Sequence, residues 1–266
     1  MPKYISSTQN TLIKNILLLK DKSRARKKQG VFVLEGVREL SLAIKGDYQV
    51  KAILFYADLF SLEKVHQLIN DDSMELIEIS KEVYQKIAFR STTEGIVAIV
   101  STKSFSLADI KFKTENPLIL IAEAPEKPGN IGALLRTADA ANLDAVIIAN
   151  PLTDMFNPNI IRSSVGCLFT NQIAVGTTSD IIWFLKEKKI NSYAAALHND
   201  SENYLKQDFT KASAIIVGTE STGLGKEWMN FAKKIIIPME GKIDSLNVSV
   251  SASILIFEAK RQLGKL

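Results

Sequence analysis

In the second half of the chain, three groups of polar and small residues follow directly on apolar runs, where a folded chain would present them to a ligand. The first is Pro128-Gly129-Asn130-Ile131-Gly132-Ala133-Leu134-Leu135-Arg136, behind the run LILIAE. Asn130 is suited to cap a helix, its side-chain oxygen accepting a backbone N–H, and Gly132 leaves the first turn uncrowded. Arg136 then falls about one and a half turns into the helix, either as a functional cation or as an ordinary surface residue. The second group, Ile215 to Gly225, is an apolar strand running into a loop with Gly218, Gly223 and Gly225 around the carboxylate of Glu220. Such a loop lets backbone approach a ligand closely, but it matches neither the dinucleotide fingerprint nor a phosphate-loop lysine pattern. The third runs from Ile237-Pro238-Met239-Glu240-Gly241 to Ser245-Leu246-Asn247-Val248-Ser249-Val250-Ser251. Helix capping needs one small polar residue, so Ser245, Asn247, Ser249 and Ser251 read as a pocket wall or as a serine-rich, tightly packed helix start.

These groups need a scaffold that gathers them. From Pro117 onward, strand-like runs (LILIAE, AVIIA, LFTNQIAV, SYAAA, AIIVG, KIIIP) alternate with helical patterns, the last helix running through VSVSASILIFEAKRQL. Near-continuous apolar strands joined by helices imply an α/β domain with a parallel sheet covered on both faces, and such sheets hold ligands at the carboxyl ends of their strands. Before it, from Val31 to Val100, VFVLEG, VKAILFY, MELIEI and GIVAIV alternate with three helical patterns, as a smaller mixed α/β domain would. The expected division is residues 1–106, a polar linker over 107–116, and residues 117–266.

Composition narrows the function classes. The single cysteine, Cys167, and the two histidines, His66 and His198, leave no disulfide framework and little scope for a Cys/His metal site; neither histidine is given a role. No apolar run approaches the roughly 18 residues of a membrane span, and the first residues lack a signal-peptide core, so a cytoplasmic, metal-free protein is expected. The net charge of +4 is unevenly placed: residues 1–106 carry 16 Lys/Arg against 12 Asp/Glu, the remainder 17 of each. Lys3, Lys14, Lys20, Lys22, Arg24, Arg26, Lys27 and Lys28 face only Asp21. This reads as a basic N-terminal arm, either a phosphate-binding footprint or a solvated charge run.

Together, NIGALLRTADA, IIVGTESTGLG and IPMEGKIDSLNVSVSASILIFE resemble the motif set of the SpoU (TrmH-type) branch of the SPOUT RNA methyltransferases, over residues 117 to 262. More loosely, FVLEGVREL and STTEGIVAIV resemble the family's ribosomal L30-like substrate-binding extension. The resemblance implies methylation of an RNA ribose 2′-hydroxyl, S-adenosylmethionine as methyl donor, a homodimer, and a deep trefoil knot. Without it, the pattern reads as an unknotted doubly wound sheet, since threaded chains are nearly absent from proteins. It carries catalytic-site roles onto Asn130, Arg136, Glu220, Ser245 and Asn247, and donor contacts onto Leu197, Gly218, Ile237, Met239 and Leu246. Ser221-Thr222-Gly223 departs from the Gly-Glu-Gly that follows the glutamate in many relatives, which predicts a stiffer, less acidic loop.

Two roles are open for Arg136: the base assigned in the family, which sits poorly with a guanidinium that rarely gives up its proton, or a clamp on the neighbouring phosphate and developing alkoxide. The RNA-contact candidates are Lys20, Lys22, Arg24, Arg26, Lys27, Lys28 and Arg38, with Arg90 and Arg162 as further ones. The L30-like extension favours ribosomal over transfer RNA. A binding-only factor would have no need of all five catalytic-type side chains, and a nicotinamide oxidoreductase would need the glycine fingerprint that is absent.

Overall fold

A computed structural model describes residues 2–69, 74–89, 94–219 and 222–264. The chain divides into two compact units, residues 1–104 with 154–170, and residues 105–153 with 171–266.

In the first unit, β1 (Lys3–Ile5), α1 (Thr11–Asp21), α2 (Ser23–Gln29), β2 (Val31–Glu35), α3 (Val37–Lys45), β3 (Val50–Phe55), α4 (Leu62–Leu68), β4 (Glu75–Ile79), α5 (Lys81–Ile87) and β5 (Ile96–Ser101) follow in order. The strands form a mixed sheet in the order β1-β4-β3-β5-β2. The expected basic arm is instead two packed helices. Asn10 caps α1 by accepting from the Leu12 N–H at 2.9 Å, and Ile13, Ile16 and Leu19 are fully buried on one face. Gly30, at φ +63°, ends α2. Arg26 is buried: its Nε donates to Asp154 at 2.5 Å and its Nη1 to the carbonyls of Leu19 and Lys20. Phe32 stacks on Phe156 at 4.5 Å, and Tyr48 meets Phe169 edge-on at 5.0 Å. Residues 154–170, which include the short helix α7 (Pro158–Ser163), thus complete this core although their sequence lies among the later strands.

The second unit contains β6 (Leu118–Glu123), α6 (Pro128–Ala140), β7 (Ala145–Ala149), β8 (Ile173–Gly176), α8 (Thr178–Glu187), β9 (Asn191–Ala195), the two-residue β10 (Glu202–Asn203), β11 (Ser213–Val217), α9 (Lys226–Phe231), β12 (Lys233–Ile236) and α10 (Val248–Gln262). The sheet is parallel throughout, in the order β10-β12-β9-β11-β6-β7-β8. The central strands β11 and β7 are buried end to end, and β6 up to its last residue, as the unbroken apolar runs require. The run LFTNQIAV is strand only from Ile173; Leu168 and Phe169 pack in the first unit. Residues 105–112 belong to the second unit rather than forming a loose linker: Phe105 accepts from the Val175 N–H, Gln172 bonds to both main-chain groups of Lys111, and Ile110 is buried. After β6, β7 and β8 have been laid down outward on one side, the chain returns to the other side of β6. This reversal puts β11 against β6, and the carboxyl ends of those two strands form the switch point where open parallel sheets take ligands.

Candidate active site

A shallow cleft opens at that switch point, lined by Ala122, Pro125, Glu126, Lys127, Asn130, Leu134, Gly218, Thr219 and Val248. One wall is the lead from β6 into α6 and the other is the start of the glycine loop, with the first residue of α10 beside them. Ala122, Pro125, Leu134 and Val248 make it partly apolar; Asn130, Lys127, Glu126 and the backbone around Gly218 supply polar groups. Such a mixture suits a small ligand with a flat apolar part and a polar rim.

Asn130 is not the cap expected of it. Lys127 occupies the cap position of α6, Pro128 takes the first helical position that proline favours, and Asn130 falls in the first turn. Its Oδ1 instead faces the third motif, accepting from Asn247 Nδ2 at 3.4 Å. Asn247 is the residue that caps a helix, its Oδ1 accepting from the Ser249 N–H at 2.9 Å at the start of α10. A hydrogen bond of 2.9 Å between Thr137 and Ser253 ties α6 to α10 one to two turns further along. The surplus of small polar residues at the α10 start is therefore partly structural, used in holding the first and third motifs together.

The glycine loop is braced. Thr219 and Gly223 exchange backbone hydrogen bonds of 3.1 and 3.2 Å, and Thr219 Oγ1 meets the Thr222 hydroxyl at 2.8 Å and the Thr222 N–H at 3.0 Å. Thr222, part of the departure from the Gly-Glu-Gly pattern, thus locks the turn. A Cβ on Gly218 would lie 2.4 Å from the Gly223 carbonyl carbon, so only glycine lets the loop fold back this tightly. Glu220 and Ser221, and Arg90 in the first unit, lie outside the described residues.

Of the remaining sequence-chosen residues, Leu197 is exposed two positions beyond β9, Ile237 directly follows β12, and Met239 and Leu246 are half-buried in the segment leading to α10. Since β12, β9 and β11 are neighbours, Leu197, Gly218 and Ile237 stand at the carboxyl ends of three adjacent strands. Ser245 is exposed and bonds to Asp244 at 3.1 Å. Arg136 is exposed on α6 and does not line the cleft. Among the basic candidates, Lys22, Arg24, Lys27, Lys28 and Arg38 are exposed. Two are corrected. Arg26 is consumed by the Asp154 pair. Lys20 is half-buried, donates to the Ile87 and Ala88 carbonyls and sits 3.9 Å over the Phe89 ring; burial holds its pKa below the ordinary lysine value.

One cluster escaped the sequence reading. The carboxylate of Glu123, at the end of β6, accepts from Asn150 Nδ2 at 2.9 Å, Thr178 Oγ1 at 3.1 Å and Trp228 Nε1 at 2.6 Å. The signal available was a lone carboxylate closing an otherwise apolar run, LILIAE. Among the described residues no group of three or more His, Cys, Asp or Glu could hold a metal ion, and no helix is long and apolar enough to cross a membrane.

Residues 117–257 match the SpoU rRNA Methylase family, and residues 10–98 match the MRM3-like substrate binding domain. The chain belongs to the SpoU rRNA methylase family, and with it to the S-adenosylmethionine-dependent RNA ribose 2′-O-methyltransferases. It is 28% identical to the 23S rRNA (guanosine(2553)-2′-O)-methyltransferase RlmP of Bacillus subtilis, over 97% of this chain and 99% of that one. Among solved structures, an AdoMet-bound rRNA methyltransferase from Sinorhizobium meliloti superposes with a TM-score of 0.89 at 27% identity, covering 98% of each chain. A second, described as an RNA 2′-O ribose methyltransferase, gives a TM-score of 0.83 at 33% identity, over 97% of this chain and 98% of that one. The SpoU enzyme's donor fits the groups present: main chain at adjacent strand ends, the half-buried Ile237, Met239 and Leu246, and a partly apolar cleft beside Gly218.

Proposed function

We propose that this SpoU enzyme is a cytoplasmic homodimer that methylates a ribose 2′-hydroxyl of ribosomal RNA, with S-adenosylmethionine held by the main chain around Leu197, Gly218, Ile237, Met239 and Leu246. The donor, when bound, supplies an electrophilic methyl group. Asn130 and Asn247 hold the first and third motifs at a fixed separation; Ser245 and Glu220 take the catalytic-site roles that their motifs imply. Alignment of this kind accounts for roughly 7 to 11 kcal/mol of a two-reactant barrier. Arg136 serves as the clamp rather than the base: its guanidinium takes the phosphate beside the target ribose and stabilises the 2′-oxygen as its proton passes to solvent water. The segment from Ile237 to Asn247 closes the trefoil knot. Exposed cations on α2 and Arg38 grip backbone phosphates, leaving selection to RNA shape and unpaired loops.

The observation that carries this reading is the convergence of Asn130, Gly218 and the α10 start on one cleft at the β6–β11 switch point. Ribosomal RNA is preferred because the MRM3-like substrate binding domain accompanies the catalytic part and because RlmP, similar along almost its whole length, is named for 23S rRNA. The dimer is supported by α10, where Val250 and Phe257 are 46% and 38% exposed at a seven-residue spacing, one stripe of the helix. The test is transfer of tritiated methyl from S-adenosylmethionine to unmodified ribosomal RNA, run beside transfer RNA and the Arg136→Ala protein. Label entering ribosomal RNA with the wild type alone is expected. Normal transfer by Arg136→Ala would end its assignment, and label in transfer RNA only would reassign the substrate.

A further inference from the structure

The Glu123 cluster links the two walls of the cleft. Two residues beyond Glu123 the chain reaches Pro125, which with Glu126, Lys127 and Asn130 forms one wall. Three residues before Trp228 lies Gly225, the last glycine of the loop whose start, Gly218 and Thr219, forms the other. Trp228 is completely buried in the core of the second unit, and its Nε1 donates to Glu123 Oε2 at 2.6 Å. The same carboxylate is fixed independently by Asn150 and Thr178, which also bond to each other at 2.8 Å, so it is a rigid reference point.

The loop is closed on itself by the Thr219–Gly223 and Thr219–Thr222 bonds. Its placement is then set by its two attachments. One is β11, held between β6 and β9; the other is α9, a single short helix anchored by Trp228. The indole N–H is the polar contact that ties the second attachment to the first motif's lead-in. Burial of the ring alone would hold α9 against the sheet without fixing how far it slides or rotates, because apolar packing is non-directional. A short hydrogen bond to a carboxylate is directional and charge-assisted.

We propose that Trp228, through its hydrogen bond to Glu123, is a positioning residue for the methyl-donor cleft, holding the glycine loop at the spacing from Asn130 that donor binding requires. This rests on the donor assignment above. Thr178→Val provides the comparison: it removes another donor to the same carboxylate oxygen while leaving the Trp228 indole bond to α9 in place.

The experiment compares wild type, Trp228→Phe and Thr178→Val by amide hydrogen exchange in the absence of donor, and by calorimetric titration with S-adenosylmethionine. Trp228→Phe is expected to speed exchange at Thr219, Thr222 and Gly223 and to weaken donor binding about tenfold, the scale of one hydrogen bond to a charged group. RNA affinity is expected to be unchanged. Thr178→Val is expected to lower Tm comparably, with loop exchange and donor affinity at wild-type values. Equal loop exchange in all three proteins, or equal loss of donor affinity in both variants, would overturn the proposal. Wild-type protein that binds no donor would sink the donor reading, while the exchange data alone would still judge the positioning role.

Discussion

Arg136 and Arg26 have the same side chain and opposite surroundings, and these decide what each can do. Arg136 is exposed on α6, so its five donors are available to an RNA phosphate and an adjacent oxygen at once. Lysine keeps the charge at that point but loses the fork. Arg136→Lys is therefore expected to cut kcat by about 10²–10³, the scale seen on removing a preorganised charge-stabilising donor, with donor affinity unchanged by titration. A base mechanism would instead give the lysine variant a shifted pH–rate profile with substantial activity at high pH. Arg26 is enclosed with Asp154, their side chains 4% and 9% exposed. Removing it leaves a buried carboxylate unpaired, so Arg26→Ala is expected to lose about 3 to 5 kcal/mol in urea unfolding. A substitution there that left stability unchanged but reduced RNA binding would restore Arg26 to the phosphate-binding set.

At the scale of elements, α2 and its cap residue Lys22 separate the two kinds of cation within about two turns: Arg26 is buried while Lys22, Arg24, Lys27 and Lys28 face solvent. Changing those four to glutamine is expected to lower the slope of log K against log salt by about 0.7 to 0.9 for each RNA phosphate the protein no longer neutralises. Filter binding across a salt series measures this, and an unchanged slope would place the RNA elsewhere. The sequence could not separate Arg26 from its neighbours, because the partner that buries it, Asp154, lies 128 positions away and among the later strands. The longer strands of the parallel sheet were legible because they lie in largely apolar runs; β10 of that sheet and β1 of the first unit were not, being two and three residues long and lacking such a run. For the site, motif spacing located Asn130, Gly218 and Asn247, which do converge. It misassigned the cap of α6, since Pro128 at the first helical position moves the helix start ahead of Asn130. The Glu123 cluster was invisible for a different reason: its members come from four separate stretches, and no local pattern joins Glu123 to Trp228.

For the molecule as a whole, the decisive arrangement is between Arg136 and a cleft it does not line. A clamp must reach the ribose attacked by the donor's methyl group, yet Arg136 lies on the outer side of α6, the helix bonded to α10 through Thr137 and Ser253. The exposed stripe of α10, with Val250, the half-buried Ile254 and Phe257, offers the surface on which a second copy would sit. In the homodimer proposed above, Arg136 of one protomer would be the residue that completes the partner's site. Light scattering is then expected to give twice the chain mass. The double variant Val250→Glu, Phe257→Glu places like charges on both sides of a two-fold contact, where each residue meets its own symmetry mate's patch. It is expected to give monomers that retain the fold by circular dichroism and lose methyl transfer. A monomeric wild type with full activity would mean that Arg136 reaches the ribose within one chain, and would remove the shared site.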